Sequence, residues 1–207
     1  MRKAIILSCL LVMPMMASAQ TKTTVDMDSE PTRAATSALG TLRALAEKSP
    51  DVMGLSSKEA ENAVLRPPLR VVFVPLDGLK TFRAGDDPRA LLTDVSTVFY
   101  PVAVGDDIRS SITVKRTDGG WVATEFGNDE LAKKIQSVRG SDTSAALLVR
   151  VPALNLDFVG TESAGTLRLT SLFDVPGTDI RAGSTADART VLAALVPMAN
   201  AHNGLPT

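Results

Sequence analysis

Residues 95–126, VSTVFYPVAVGDDIRSSITVKRTDGGWVATEF, carry the pattern that decides the fold class. Three runs, Val95 to Val104, Ile108 to Thr117 and Trp121 to Phe126, are separated by Gly105-Asp106-Asp107 and by Asp118-Gly119-Gly120. In the middle run Ile108, Ile112 and Val114 share one parity, while Arg109, Thr113 and Lys115 share the other. Successive side chains of a strand point to opposite faces, so this alternation marks a half-buried strand. Glycine takes positive φ in a tight turn without steric cost, and both separators therefore predict hairpins. The stretch reads as an antiparallel three-strand meander.

Working toward the N-terminus, the segment from Arg70 to Leu76 (RVVFVPL) is apolar on both faces, which predicts a buried strand left through an Asp77-Gly78 turn. Asp87 before Pro88 opens a short helix through Ala90, Leu91 and Leu92. Further back, Leu39, Leu42 and Leu45 recur in threes beside Ala35 and Ala46, a helical stripe that starts at Thr32 and is bounded by Pro50. Ser56 and Glu59 have capping-box spacing, so a second short helix with Ala60, Ala63 and Val64 on its apolar side follows. Residues 32–66 thus read as an N-terminal helical hairpin. Pro67-Pro68 is the one boundary at which it would form a separate unit.

Toward the C-terminus, Asn128 caps a helix whose buried stripe is Leu131, Ile135 and Val138 and whose end is Gly140. Leu147, Val149 and Val151 share a face, but Leu154, Leu156 and Phe158 have the opposite parity. A bulge or strand break is expected at Val151-Pro152, because proline cannot donate to a ladder. After a turn over residues 160–165, Leu167, Leu169 and Phe173 mark a partner strand. Ser184 and Asp187 resemble a capping pair for a last helix carrying Val191, Leu192, Leu195 and Met198, with Pro197 as a kink and Asn203-Gly204 as its end. Residues 205–207 are a tail. The expected fold is one α+β domain over residues 32–204. It has an antiparallel sheet of about six hairpin-connected strands with helices packed on one face. The element order over residues 87–138 resembles that of cystatin-like and PepSY-type domains, several of which bind or inhibit peptidases. That resemblance concerns the fold and assigns no residue roles.

The first residues carry an export pattern. Arg2 and Lys3 precede an apolar run from Ala4 to Met13, Pro14 breaks it, and Ala17-Ser18-Ala19 supplies the small residues of a cleavage site. A spanning helix needs about 20 apolar residues, which this run does not reach. Residues 1–19 are therefore expected to be a signal peptide cut between Ala19 and Gln20. Residues 20–31 would follow as a polar tether, and the mature protein would be periplasmic or secreted. Cys9 is the single cysteine, so the mature chain would hold no disulfide despite an oxidising destination.

Composition narrows the chemistry. An apolar fraction of 44% and a charged fraction of 22% are those of a globular domain. The formal charge of −1 becomes more acidic once the two bases of the signal are removed, and this disfavours nucleic acid as a partner. With His202 the one histidine, a zinc site cannot be assembled except from carboxylates around it; its place near a helix C-terminus suits the dipole instead. Ser57 and Lys58 are neighbours about 100° apart on a helix and make no dyad. The acidic pairs Asp86-Asp87, Asp106-Asp107 and Asp129-Glu130 each sit at a turn or helix start, where acids act as caps. No nucleophile elbow, phosphate loop or dinucleotide fingerprint is present, so no cofactor is implied. Aromatic residues make up 4%, with one Trp and one Tyr. Trp121 follows a turn and Tyr100 precedes Pro101, placing them either at a partner-binding edge or in the core beneath it. The expected function is non-enzymatic: a binding or accessory protein whose partner is a peptide or another envelope or secreted protein. The alternative is an extracytoplasmic hydrolase using carboxylates or a Ser/Lys pair.

Overall fold

The computed structural model describes residues 29–202 except 141, 143 and 145. The expected signal peptide, the tether up to residue 28 and the tail lie outside the described residues. Three helices come first: α1 (Glu30–Lys48), α2 (Pro50–Met53) and α3 (Ser57–Ala60). Then follow β1 (Ala63–Leu65), β2 (Leu69–Phe73) and α4 (Leu76–Thr81). After a 3-10 turn at Pro88–Leu91 come β3 (Thr93–Val104), β4 (Asp107–Thr117), β5 (Gly120–Phe126) and α5 (Asp129–Arg139). The remainder is β6 (Ala146–Val151), β7 (Leu156–Ser163), β8 (Thr166–Ser171), β9 (Thr185–Asp187) and α6 (Ala188–Ala201).

The meander is present as β3, β4 and β5, with Thr97 opposite Lys115 and Thr117 opposite Gly120. It belongs to a larger sheet than expected. Nine strands form one sheet in the order β5-β4-β3-β2-β6-β7-β8-β9, with β1 pairing β3 beside that path. All pairs are antiparallel except β2 with β6, which run parallel from Leu69 opposite Ala146 to Phe73 opposite Arg150. The expectation of about six antiparallel strands is corrected in both count and sense. Hairpins are written locally in turn residues, but a parallel pair needs a long crossover, here the whole segment from α4 to α5. The two-sided apolar character of both central strands is the trace it leaves in the sequence.

Each half of the sheet repeats one plan. Strands β2 to β5 step outward and end in α5; strands β6 to β9 step outward the other way and end in α6. A half-turn about the strand direction relates two such meanders and reverses the sheet's faces, so the helices should lie on opposite sides. They do. Leu131, Ala132 and Ile135 of α5 share a core with Leu69, Val71, Phe99 and Leu148. Val191, Leu192 and Leu195 of α6 share another with Val72, Val149, Val151 and Phe158. Leu148 and Val149 are consecutive and point to opposite faces. A third core joins Ala35, Ala38, Leu42 and Ala46 of α1 to Tyr100, Val102, Ile112 and Val114. Helices therefore cover both faces, α1 and α6 on one and α5 on the other, which corrects the one-face expectation.

The N-terminal segment is not a two-helix hairpin. The capping box forms as expected: Ser56 N–H donates to Glu59 Oε2 at 2.8 Å and Glu59 N–H to Ser56 Oγ at 3.3 Å. The helix ends at Ala60, however, and Ala63 to Leu65 pair with Val104 to Val102. The Arg66 N–H extends that ladder to Pro101 O at 2.8 Å. Pro67 and Pro68 then interrupt it, having no N–H to give. The helix α1 begins at Glu30, two residues before Thr32, with Pro31 in its first turn. At Pro152 the expected break appears as a 3-10 turn of three residues, and Asn155 at φ 51° starts β7 back along β6.

Candidate functional site

Among the described residues the sheet ends on β5, and this strand is hydrogen-bonded to β4 alone. Thr117 and Gly120 close the hairpin as directly opposed residues. In a two-residue hairpin that closing pair exchanges both backbone bonds, and bonded pairs alternate with unbonded ones. Lys115 with Val122 is then the next bonded pair, while Trp121 and Ala123 direct their N–H and C=O away from β4. The regular run ends at Thr124, an extra residue inserted between the pairs Val114 with Ala123 and Thr113 with Glu125. Such a bulge twists an edge and restricts further pairing to the run before it.

The flanks of this edge differ. On the α1 side, half-buried Trp121 packs against the third core with Ala123 and Phe126. On the other side Val122 is 41% exposed, one of the few large apolar side chains open to solvent among the described residues. Lys115 and Arg116 stand behind Val122 and Trp121 on β4, both exposed. Neither makes an ion pair among the described residues.

Tyr100 lies elsewhere. It is 0% exposed, on β3 beneath α1, and its hydroxyl is 3.0 Å from Thr32 Oγ1. Burial is the larger influence on the phenol and raises its pKa, and the Thr32 hydrogen bond works against that. Tyr100 and Trp121 thus share one core under α1. Trp121 alone of the two reaches the strand edge. Sequence reasoning did not single out Lys115, Arg116 or Val122; the signal available was the solvent parity of Lys115 in the alternating run.

The acidic pairs are placed as caps and turn residues. Asp86 accepts from Arg83 N–H at 2.8 Å, and Asp87 accepts from Arg89 N–H at 3.0 Å. Asp106 lies 3.5 Å from Arg66 at the β3–β4 turn. In the first turn of α5, Asp129 is 2.6 Å from Lys133 and Glu130 is 3.9 Å from Lys134. The Lys133 hydrogen bond chiefly holds Asp129 below the usual carboxylate range. None of these pairs faces another across a pocket.

An open cleft of about 470 Å³ lies between the β3–β4 turn and α5, lined by Asp106, Asp107, Arg109, Lys133, Gln136 and Ser137 over Ile108. Its polar groups are largely committed. Arg109 pairs with Glu59 at 3.2 Å and donates to Gly54 O at 3.3 Å, docking the α2–α3 segment onto β4. Gln136 donates to Gly140 O and Ser137 to Lys134 O. His202 caps α6, its N–H bonded to Met198 O and Ala199 O. Among the described residues no three His, Cys, Asp or Glu side chains gather as metal ligands, and no helix is long and apolar enough to cross a membrane. No protein-family model, curated protein or solved structure matches this chain.

Proposed function

We propose that the mature chain is an extracytoplasmic binding or accessory protein that takes a protein or peptide partner along β5. The observation that supports this is the free edge from Gly120 to Ala123, with two backbone donors and two acceptors facing outward beside exposed Val122. An extended chain is the partner that satisfies such a row, because main-chain bonds supply affinity while alternate side chains supply selection. The hydrolase alternative draws no comparable support, since the acids it would use are occupied as caps and turn partners.

The test uses the chain lacking residues 1–19, immobilised and exposed to envelope extract, beside an Ala123→Pro variant. Proline there removes one outward donor and leaves the bonded pairs with β4 in place. Retention of a defined protein by the parent and its loss from a normally folded variant support the reading. Equal retention by both, or turnover of model glycans, peptides or esters by the purified chain, contradicts it.

A further inference from the structure

Charge around β5 narrows the class of partner. Consecutive strand residues point to opposite faces, so Lys115 reaches out on the Val122 side and Arg116 on the Trp121 side. Among the described residues, the regular part of the edge is therefore flanked by one cation above the sheet and one below it that make no ion pair. The acids of β4, β5 and the turn between them stand apart from the regular run: Asp118 is in the turn and Glu125 follows the bulge at Thr124. A strand added to β5 would lie about 10 Å from β4, two inter-strand spacings away. Long flexible Lys and Arg arms span that gap when an acidic side chain reaches back toward them.

Resting on the β5 reading above, we propose that the partner is an extended segment with two acidic residues adjacent in its sequence. One carboxylate meets Lys115 on one face and the other meets Arg116 on the opposite face. Adjacent positions are required because neighbours in a strand point to opposite sides. The backbone pairs with Trp121 and Ala123.

A random-peptide display selection against the mature protein tests this, with a K115E/R116E double variant as the second target. The parent should enrich peptides containing an adjacent Asp/Glu pair. Their affinity should fall about tenfold on the double variant, as expected for two exposed ion pairs lost and reversed. Peptides with Lys in place of the two acids should recover affinity on that variant, a swap that misfolding cannot mimic. Enrichment without acids, equal binding to both targets, no enrichment at all, or concentration-dependent dimerisation abolished by the Ala123→Pro variant overturns the acidic-segment proposal. The capture experiment reports separately on the edge itself, since loss of capture on Ala123→Pro is indifferent to the partner's charge.

Discussion

Tyr100 Oη and Thr32 Oγ1 lie 3.0 Å apart although 68 positions separate them in the chain. This contact fixes the first turn of α1 on the middle of β3. Thr32 Oγ1 is also 3.1 Å from Ser29 Oγ, so a short hydroxyl chain runs from the buried phenol to the helix start. The helix has no side-chain cap of its own at Ser29, and its entry is anchored by this tertiary bond.

Tyr100→Phe keeps the ring and removes the hydroxyl, leaving Thr32 with Ser29. The expected loss is about 1 kcal/mol, the net worth of one buried hydrogen bond. Thermal unfolding should fall by roughly 2–4 °C. Tyr100→Ala empties a fully buried site and should cost about 3–5 kcal/mol. Denaturant titration of the two variants checks the ranking, and equal losses would mean that the hydroxyl rather than the ring dominates.

Alkaline titration reads Tyr100 directly, because it is the sole tyrosine of the chain. Its folded pKa is raised chiefly by burial, so the fold favours the neutral phenol. That contribution is present below the ordinary tyrosine value of about 10 and is lost as pH rises through the raised folded value. Phenolate absorbance should appear above the free-tyrosine midpoint, together with loss of near-ultraviolet circular dichroism. A midpoint at the free value in a folded protein would contradict the burial.

Acid should weaken the fold by the opposite sign. Glu59 is lowered chiefly by the Ser56 backbone hydrogen bond, Asp129 by Lys133 and Asp142 by the Ser144 backbone. Depressed folded values mean that their contributions are present above about pH 4 and are lost as pH falls through those values. Asp142 is exposed and Glu59 and Asp129 are partly exposed, so the decline is shallow and screened by salt. Unfolding midpoints measured from pH 6 down to 3 should be flat and then decline. A rise over that interval would refute the assignment.

Two glycines should respond with opposite signs. Gly40 sits inside α1 and a methyl group there meets nothing within 4 Å, so Gly40→Ala should stabilise by about 0.5–1 kcal/mol. Gly54 holds φ +74° and a Cβ would come within 2.2 Å of Arg109 O. Gly54→Ala should therefore undock the α2–α3 segment and destabilise by more than about 1 kcal/mol. Urea melts of the two variants give the comparison.

The local elements were legible where a residue pattern writes them. The turns at Gly105 and Gly119, the Ser56–Glu59 box and the break at Pro152 all depend on neighbours in sequence. What escaped depends on distant partners. Ala63 to Leu65 carry too few residues for a strand signal, and their pairing comes from Val102 to Val104. The parallel join of Leu69 to Ala146 bridges residues far apart in the chain, and no local residue encodes it. The face taken by α5 follows from that join, so it could not be read before it. At the edge, Trp121 was visible as an aromatic beside a turn, whereas Tyr100 needed the position of α1 to be recognised as core.

Amide hydrogen exchange with and without the captured partner reports directly on whether a partner pairs along β5. Residues 120–123 should gain protection, with the outward amides of Trp121 and Ala123 slowing most, while β9 at the opposite end of the sheet is unchanged. Protection confined to α6, β9 or the cleft beside α5, with β5 still exchanging freely, would contradict it.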